Sequence, residues 1–215
     1  MRDWLPKVYP ILDSSIIPFV DRAVFLDRLG RSLAGAEVRL LEYRNKNGTD
    51  AEVLADARVL RAAMPETKLI LDDRVDITLA AGFDGTHVDA GDIPIADARL
   101  LLGPQRIVGT SAGTSASGES GARAAVAEGA NYVSFGPVFT TTTKQTSAPT
   151  IGIEGVRRFR EFSGSEPVLV AAAGITLDTA PAILEAGADA VAVAAALFRN
   201  DDPAKEFLRW MAILR

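Results

Sequence analysis

One phrase recurs three times in this chain, each time between a helix-like segment and an apolar run. Ala81-Gly82-Phe83-Asp84-Gly85-Thr86-His87-Val88 is the first copy and Glu128-Gly129-Ala130-Asn131-Tyr132-Val133-Ser134-Phe135 the second. Ala186-Gly187-Ala188-Asp189-Ala190-Val191-Ala192-Val193 is the third. In each copy a glycine stands where a helix needs a left-handed residue to stop, and a strand follows after two or three residues. A chain built from such units alternates helix and strand. Eight strand candidates are present: Val8–Leu12, Glu37–Tyr43, Lys68–Leu71, Gly85–Val88, Arg106–Thr110, Asn131–Phe135, Pro167–Ala171 and Asp189–Val193. They are rich in Val, Ile and Leu and are bounded mostly by Gly, Pro or Asp. Segments of helical length lie between them, among them Val53–Met64, Gly121–Glu128, Val156–Phe162, Leu177–Glu185 and Pro203–Leu214. Near-continuous apolar strands suit a parallel sheet covered on both faces. The expected fold is therefore α/β, a single (β/α)8 TIM barrel occupying residues 1–215 as one domain. An open doubly wound sheet is the alternative, without the G-x-G-x-x-G turn of a dinucleotide fold after its first strand.

Composition narrows the chemistry. At 215 residues the chain can bury one large core. Its net charge of -5, with no basic block, argues against a sequence-independent nucleic-acid surface. It has no cysteine, which removes thiolate catalysis, disulfides and Cys-ligated zinc. A single histidine, His87, excludes an H-E-x-x-H zinc site. The longest apolar run, Ala190 to Phe198, is too short to cross a bilayer. Met1-Arg2-Asp3-Trp4 leads into no apolar region, so no signal peptide is expected and the cytoplasm is the expected compartment. The sequence does not set the oligomeric state; symmetry base rates are compatible with a homodimer.

In a barrel of this kind the chemistry collects at the C-terminal ends of the strands. Those positions hold Asp13-Ser14-Ser15, Glu42-Tyr43-Arg44-Asn45-Lys46, Asp72-Asp73-Arg74 and Asp89…Asp92. They continue with Ser111, the run Gly136-Pro137-Val138-Phe139-Thr140-Thr141-Thr142-Thr143-Lys144, then Gly174-Ile175-Thr176 and Ala194-Ala195-Ala196. The strand starts, by contrast, carry short Gly/Ala/Pro turns with little chemistry. Arg44, Lys46 and Lys144 can neutralise a diphosphate, and the two acidic loops can hold Mg2+, which prefers carboxylate oxygens beside phosphate and water. Plainer roles stand beside these. Asp72 and Asp73 suit a helix N-cap, Asp92 can cap a helix starting near Pro94, and His87 suits a packed or lumen-facing side chain. Residues Thr140–Thr150 are long and polar enough to form a lid.

These motifs, taken together, resemble the thiamine-phosphate synthase (thiamine-phosphate pyrophosphorylase) family over nearly the whole chain. The matching pieces are Tyr43-Arg44-Asn45-Lys46, Leu71-Asp72-Asp73-Arg74-Val75-Asp76, Asp84-Gly85-Thr86-His87-Val88…Asp92, Gly109-Thr110-Ser111 and the block from Gly136 to Lys144. The resemblance implies a Mg2+-dependent transferase. It would join 4-amino-2-methyl-5-(diphosphooxymethyl)pyrimidine to a thiazole phosphate through a dissociative, cation-forming step. It further implies Ser111 and Lys144 at the reacting centre, with Glu42, Arg44, Lys46 and Asp72 around the pyrimidine and its diphosphate. Asp73 and Asp92 would hold the metal. Thr141, Thr143, Gly174, Ala194 and Ala195 would receive the thiazole phosphate.

The chain also departs from that family, and the departures fall in the site. Glu42 replaces a glutamine that reads the pyrimidine edge, and a carboxylate cannot donate to a ring nitrogen unless protonated. Asp72 replaces an asparagine and adds negative charge where a diphosphate is expected. Gly113 stands where a histidine often follows the serine. Ala173 replaces the first glycine of a Gly-Gly-Ile-Thr turn, and Ala195 replaces a serine. Two alternatives therefore stand beside the synthase. One is a thiazole tautomerase, whose relatives use a histidine at position 113. The other is a diverged barrel that binds a phosphorylated ligand without this catalysis, or with a different substrate.

Overall fold

The computed structural model describes residues 4–112, 116–141 and 148–214. Lys144, Thr143 and Gly113 lie outside them. The eight strands are β1 (Val8–Asp13), β2 (Leu40–Arg44), β3 (Lys68–Asp72), β4 (Gly85–Val88), β5 (Ile107–Ala112), β6 (Tyr132–Phe135), β7 (Leu169–Ala172) and β8 (Ala190–Val193). They pair in chain order, all parallel, and β8 closes on β1. The helices between them are α1 (Arg22–Gly35), α2 (Asp50–Ala63), α3 (Val75–Ala80), α4 (Ile95–Leu102), α5 (Ala116–Ala127), α6 (Gly152–Ser163) and α7 (Ala180–Glu185). A single turn, α8 (Ala195–Phe198), and α9 (Pro203–Ile213) follow β8. The barrel expectation holds, and the open sheet is set aside.

Strand alternation divides the core in two. Outward residues such as Leu41, Leu69, Leu71, Val133 and Val191 pack under the helices. Inward residues Tyr9, Leu40, Ile70, Ile107, Tyr132, Val170 and Ala190 fill the lumen. One pleat further along, the inward positions turn polar: Glu42, Asp72, His87, Ser111 and Ser134. The lower lumen is thus an apolar plug, and the site is its upper surface. Gly109 is part of this design. A Cβ there would lie 2.0 Å from the Tyr132 ring, so only glycine admits that side chain to the lumen.

The strand starts carry more chemistry than the sequence suggested. In the three recurring phrases, Asp84, Asn131 and Asp189 accept from the N–H of Leu69, Val108 and Leu169 on the neighbouring strand. Each is gripped by an arginine from an even-numbered helix: Arg61 of α2, Arg99 of α4 and Arg160 of α6. Those arginines also donate to loop carbonyls; Arg160 reaches Gly187 O at 2.7 Å, Gly164 O at 2.9 Å and Pro167 O at 3.0 Å. Asn131 and Asp189 are therefore loop residues serving as clamps, and β6 and β8 begin one residue later than expected. The second strand also starts later, at Leu40, because Glu37 turns the chain with φ 58°.

Candidate active site

A cavity of about 370 Å3 opens at the C-terminal ends of the strands, a volume within the range of small-molecule sites. Glu42, Arg44, Asp72, His87, Ser111 and Tyr132 line one side of it. Thr140, Thr141, Gly174 and Ala194 to Ala196 line the other.

The cationic wall comes from the β2–α2 connection. Inward-pointing Arg44 pairs with Asp13 and lies 3.4 Å from Asp72 Oδ2 through its Nε. Lys46 reaches Asp72 Oδ2 at 3.1 Å and also pairs with Asp73. The Asp72 contacts are ionic rather than well-directed hydrogen bonds, since that oxygen lacks hydrogen-bond geometry to either cation. The intervening outward residues hold the connection in place. Asn45 Oδ1 accepts from Ser14 Oγ at 2.9 Å and from the Gly48 N–H at 2.9 Å, while its amide donates to Tyr43 Oη at 3.1 Å. Tyr43 in turn donates to buried Asp56, which Arg22 of α1 grips through Nε at 2.9 Å. A capping box between Thr49 and Glu52 then starts α2.

The charges are strongly coupled. Burial raises the Asp72 carboxyl above its ordinary range, against the pull of His87 and Lys46. Lys46 is raised although burial opposes it, because Asp73 and Asp72 favour its charged form. Asp13 is held below the usual carboxylate range by hydrogen bonds from Ser15 and Arg44, which outweigh its burial. Burial also raises Asp92, and the nearby carboxyl of Asp73 raises it further against a hydrogen bond from the Asp89 N–H.

Neither plain capping role is found. Asp73 has φ 67°, and α3 starts at Val75 after Arg74, which supplies no side-chain cap. Asp92 accepts from the Asp89 N–H at 2.7 Å, closing its own turn, and α4 follows an uncapped Pro94. Both carboxylates are left on the rim beside Lys46. Two close carboxylates of this kind fit Mg2+. Among the described residues no group of three or more His, Asp and Glu has metal-binding geometry. The protein's share of such a shell would be these two carboxylates, with ligand oxygens and water completing it.

The floor is a hydrogen-bonded chain that sequence reasoning missed. Tyr9 Oη donates to Glu42 Oε2 at 2.8 Å and lies 2.6 Å from Tyr132 Oη. Tyr132 Oη is 2.9 Å from His87 Nδ1, whose Nε2 is 3.0 Å from Ser111 Oγ. Ser134 Oγ follows at 2.8 Å. Burial pushes the Glu42 carboxyl up to about 7. Burial alone would lower His87, but the Asp89 contact at 3.4 Å and the charges of Glu42 and Asp72 raise it to about 9. The signal was available: Tyr9 and Tyr132 share inward parity with Glu42 and His87, and Gly109 leaves room opposite Tyr132.

The other wall is mostly backbone. Gly174 has φ 69°, and a Cβ on it would meet Thr140 O at 2.5 Å. Ala173, at the neighbouring glycine position, sits at φ 73°, a conformation costing a non-glycine residue roughly 1 kcal/mol. Ala194 precedes the α8 turn, whose first N–H groups have no partner within the helix. With small side chains on both sides, these amides suit an oxyanion. The structure thus brings Glu42, Arg44, Asp72, Ser111, Thr141, Gly174, Ala194 and Ala195 to one cavity. Lys46 and Asp73 stand at its edge through Asp72.

Residues 8–197 match the family model described as thiamine monophosphate synthase. A thiamine-phosphate synthase from Koribacter versatilis is 38% identical over 207 residues, covering 95% of each chain. One from Agrobacterium fabrum is 40% identical over 177 residues, 80% of this chain and 77% of its own. Among solved structures, thiamine phosphate pyrophosphorylase from Pyrococcus furiosus superimposes with a TM-score of 0.80 at 30% identity, covering 97% of this chain and 95% of that one. A 3-hexulose-6-phosphate synthase, at 19% identity and a TM-score of 0.70, shares the fold alone. With its cationic wall, carboxylate rim and backbone cradle around one barrel mouth, the chain belongs to the thiamine monophosphate synthase family.

Proposed function

We infer that this protein makes thiamine phosphate. It joins 4-amino-2-methyl-5-(diphosphooxymethyl)pyrimidine to a thiazole phosphate and releases diphosphate, as a single-domain enzyme of the cytoplasm. The observation that carries this reading is the division of the cavity. Arg44 and Lys46 stand on one side, and an amide cradle around Gly174 and Ala194–Ala195 stands on the other. A substrate pair with a diphosphate on one partner and a monophosphate on the other needs that arrangement.

In the reaction, the bond from the pyrimidine methylene to the diphosphate oxygen breaks and the electron pair leaves with the diphosphate. The thiazole nitrogen then donates its lone pair to the methylene carbon. Arg44 and Lys46, with Lys144 from outside the described residues, stabilise the charge that develops on the leaving group. Mg2+ held by Asp73 and Asp92 would supply further neutralisation of that charge. Ser111, fixed by His87 and Ser134, meets the reacting centre. Thr141 and Thr143 contact the thiazole partner, whose phosphate rests on the amide cradle.

Asp72, paired with the cations a diphosphate needs, favours one competing reading: a barrel that binds phosphorylated ligands without this turnover. A coupled assay with both substrates and Mg2+, following thiamine phosphate and diphosphate, separates the two. Turnover that EDTA abolishes supports the synthase; binding of either ligand without turnover sinks it.

A further inference from the structure

Six side chains from five strands form the floor chain, and its direction can be deduced. Glu42 Oε2 accepts from Tyr9. A phenol has one proton, so Tyr9 must accept from Tyr132, and Tyr132 must accept from His87 Nδ1. The carboxyl therefore fixes the imidazole: Nδ1 carries a proton, and Nε2 faces Ser111 and Asp89. At the other end, Glu42 lines the cavity, and its Oε1 takes no hydrogen bond among the described residues.

We propose that Glu42 holds the substrate's heterocycle through a single proton shared between its Oε1 and a ring nitrogen, with the Tyr9–Tyr132–His87 chain orienting the carboxyl. This rests on the pyrimidine reading above. An amide at this position would donate its own N–H and bind the ring without any proton from solvent. A carboxyl must acquire one. The proton lies on Oε1 and is donated to the ring nitrogen, or lies on the ring nitrogen and is donated to Oε1; either way the complex holds one. The second lone pair of Oε2 remains for the exocyclic amine.

The surroundings leave that proton available near neutrality. Tyr9 from β1, Asp72 from β3, His87 from β4 with Asp89 beyond it, and Tyr132 from β6 surround the carboxyl, and Arg44 lies two residues along its own strand. Burial, Asp72 and Asp89 favour the neutral acid, while His87 and the Tyr9 hydrogen bond favour the anion, with a midpoint of about 7. Binding therefore draws about half a proton at pH 7 and about nine-tenths at pH 8.

The test is titration calorimetry with the aminopyrimidine diphosphate alone, without thiazole phosphate. It is run in buffers of different ionisation enthalpy on the wild type, Glu42→Gln and Tyr9→Phe. The wild type takes up more protons than Glu42→Gln by those fractions, and above pH 8 only its affinity falls nearly tenfold per pH unit. Tyr9→Phe keeps the ring, removes a hydrogen bond that favours the anion, and moves the midpoint upward. Nitrogen NMR of the single imidazole shows Nδ1 protonated at pH 7. Equal proton counts in wild type and Glu42→Gln, or a bare Nδ1, overturn the proposal while leaving the pyrimidine reading intact. Failure of the wild type to bind the compound at all removes that reading, and this inference with it.

Discussion

Replacing Asp72 by asparagine removes a buried negative charge placed between the two cations that the proposed reaction assigns to the diphosphate. Its Oδ2 lies 3.1 Å from Lys46 Nζ and 3.4 Å from Arg44 Nε. A diphosphate oxygen hydrogen-bonded to Lys46 on its free side would stand roughly 6 Å from that carboxylate, given charge-assisted bonds of about 2.8 Å. Two like charges at that separation repel by about 3 kcal/mol at an effective dielectric of about 20, and by under 1 kcal/mol in water. The carboxylate also orders both cations, a benefit that the amide oxygen retains only in part, so the net gain is about 1–2 kcal/mol. That corresponds to a roughly 5- to 30-fold lower Kd for inorganic diphosphate. Calorimetric titration with diphosphate at fixed MgCl2 measures it directly. Repeating it at high salt shrinks the gap without closing it, because the site is half-enclosed. A second readout is independent of the ligand: Asp72 helps to raise His87, so the imidazole titrates lower in the variant. An unchanged or weaker Kd would refute the reasoning and make Asp72 an organiser of the cations rather than their competitor.

Two further outcomes follow from the same geometry, and a third from the proposed reaction. Arg160→Ala strips the third recurring phrase of its clamp and takes one donor from three loop carbonyls and from Asp189. The loss is about 2–4 kcal/mol, a Tm lower by roughly 5–10 °C in a thermal melt, with kcat unchanged at assay temperature. Glu42→Gln makes folding less sensitive to pH. The folded carboxyl titrates at about 7 against an ordinary 4.5, so the wild type loses stability as pH rises between those values and the amide does not. The two proteins melt alike at pH 4, and the variant is more stable at pH 8 by on the order of 2 kcal/mol, after discounting the lost attraction to His87. Lys144→Ala removes a cation from the leaving group and lowers kcat by at least a hundredfold, while the Kd of the thiazole phosphate is preserved.

Much of the fold could be read from the chain because its information is local. A glycine that stops a helix, followed by a β-branched run, is spelled out within eight residues, and three copies imply the closed array. The errors were local as well. Asn131 and Asp189 read as strand because an apolar run follows them, yet each side chain belongs to the neighbouring strand's N–H. The cations, the acidic rim and the small-residue turns were legible in the same way, since each is a short stretch at a strand end.

The floor chain is different in kind. Its links span 33, 123, 45, 24 and 23 residues in sequence. Only the stagger of a closed barrel brings them to one level. Alternation alone would have placed Tyr9, Glu42, His87 and Tyr132 in the lumen. What it could not supply is that the tyrosine hydroxyls meet, and that meeting changes what Glu42 means. Read as a lone substitution for glutamine, it is a defect in recognition. Held by Tyr9 at one oxygen, and coupled through two phenols to a charged imidazole, it becomes a carboxyl near its midpoint with one oxygen left for a ligand. The departure from the family pattern then turns from drift into a pH dependence that a glutamine enzyme cannot have.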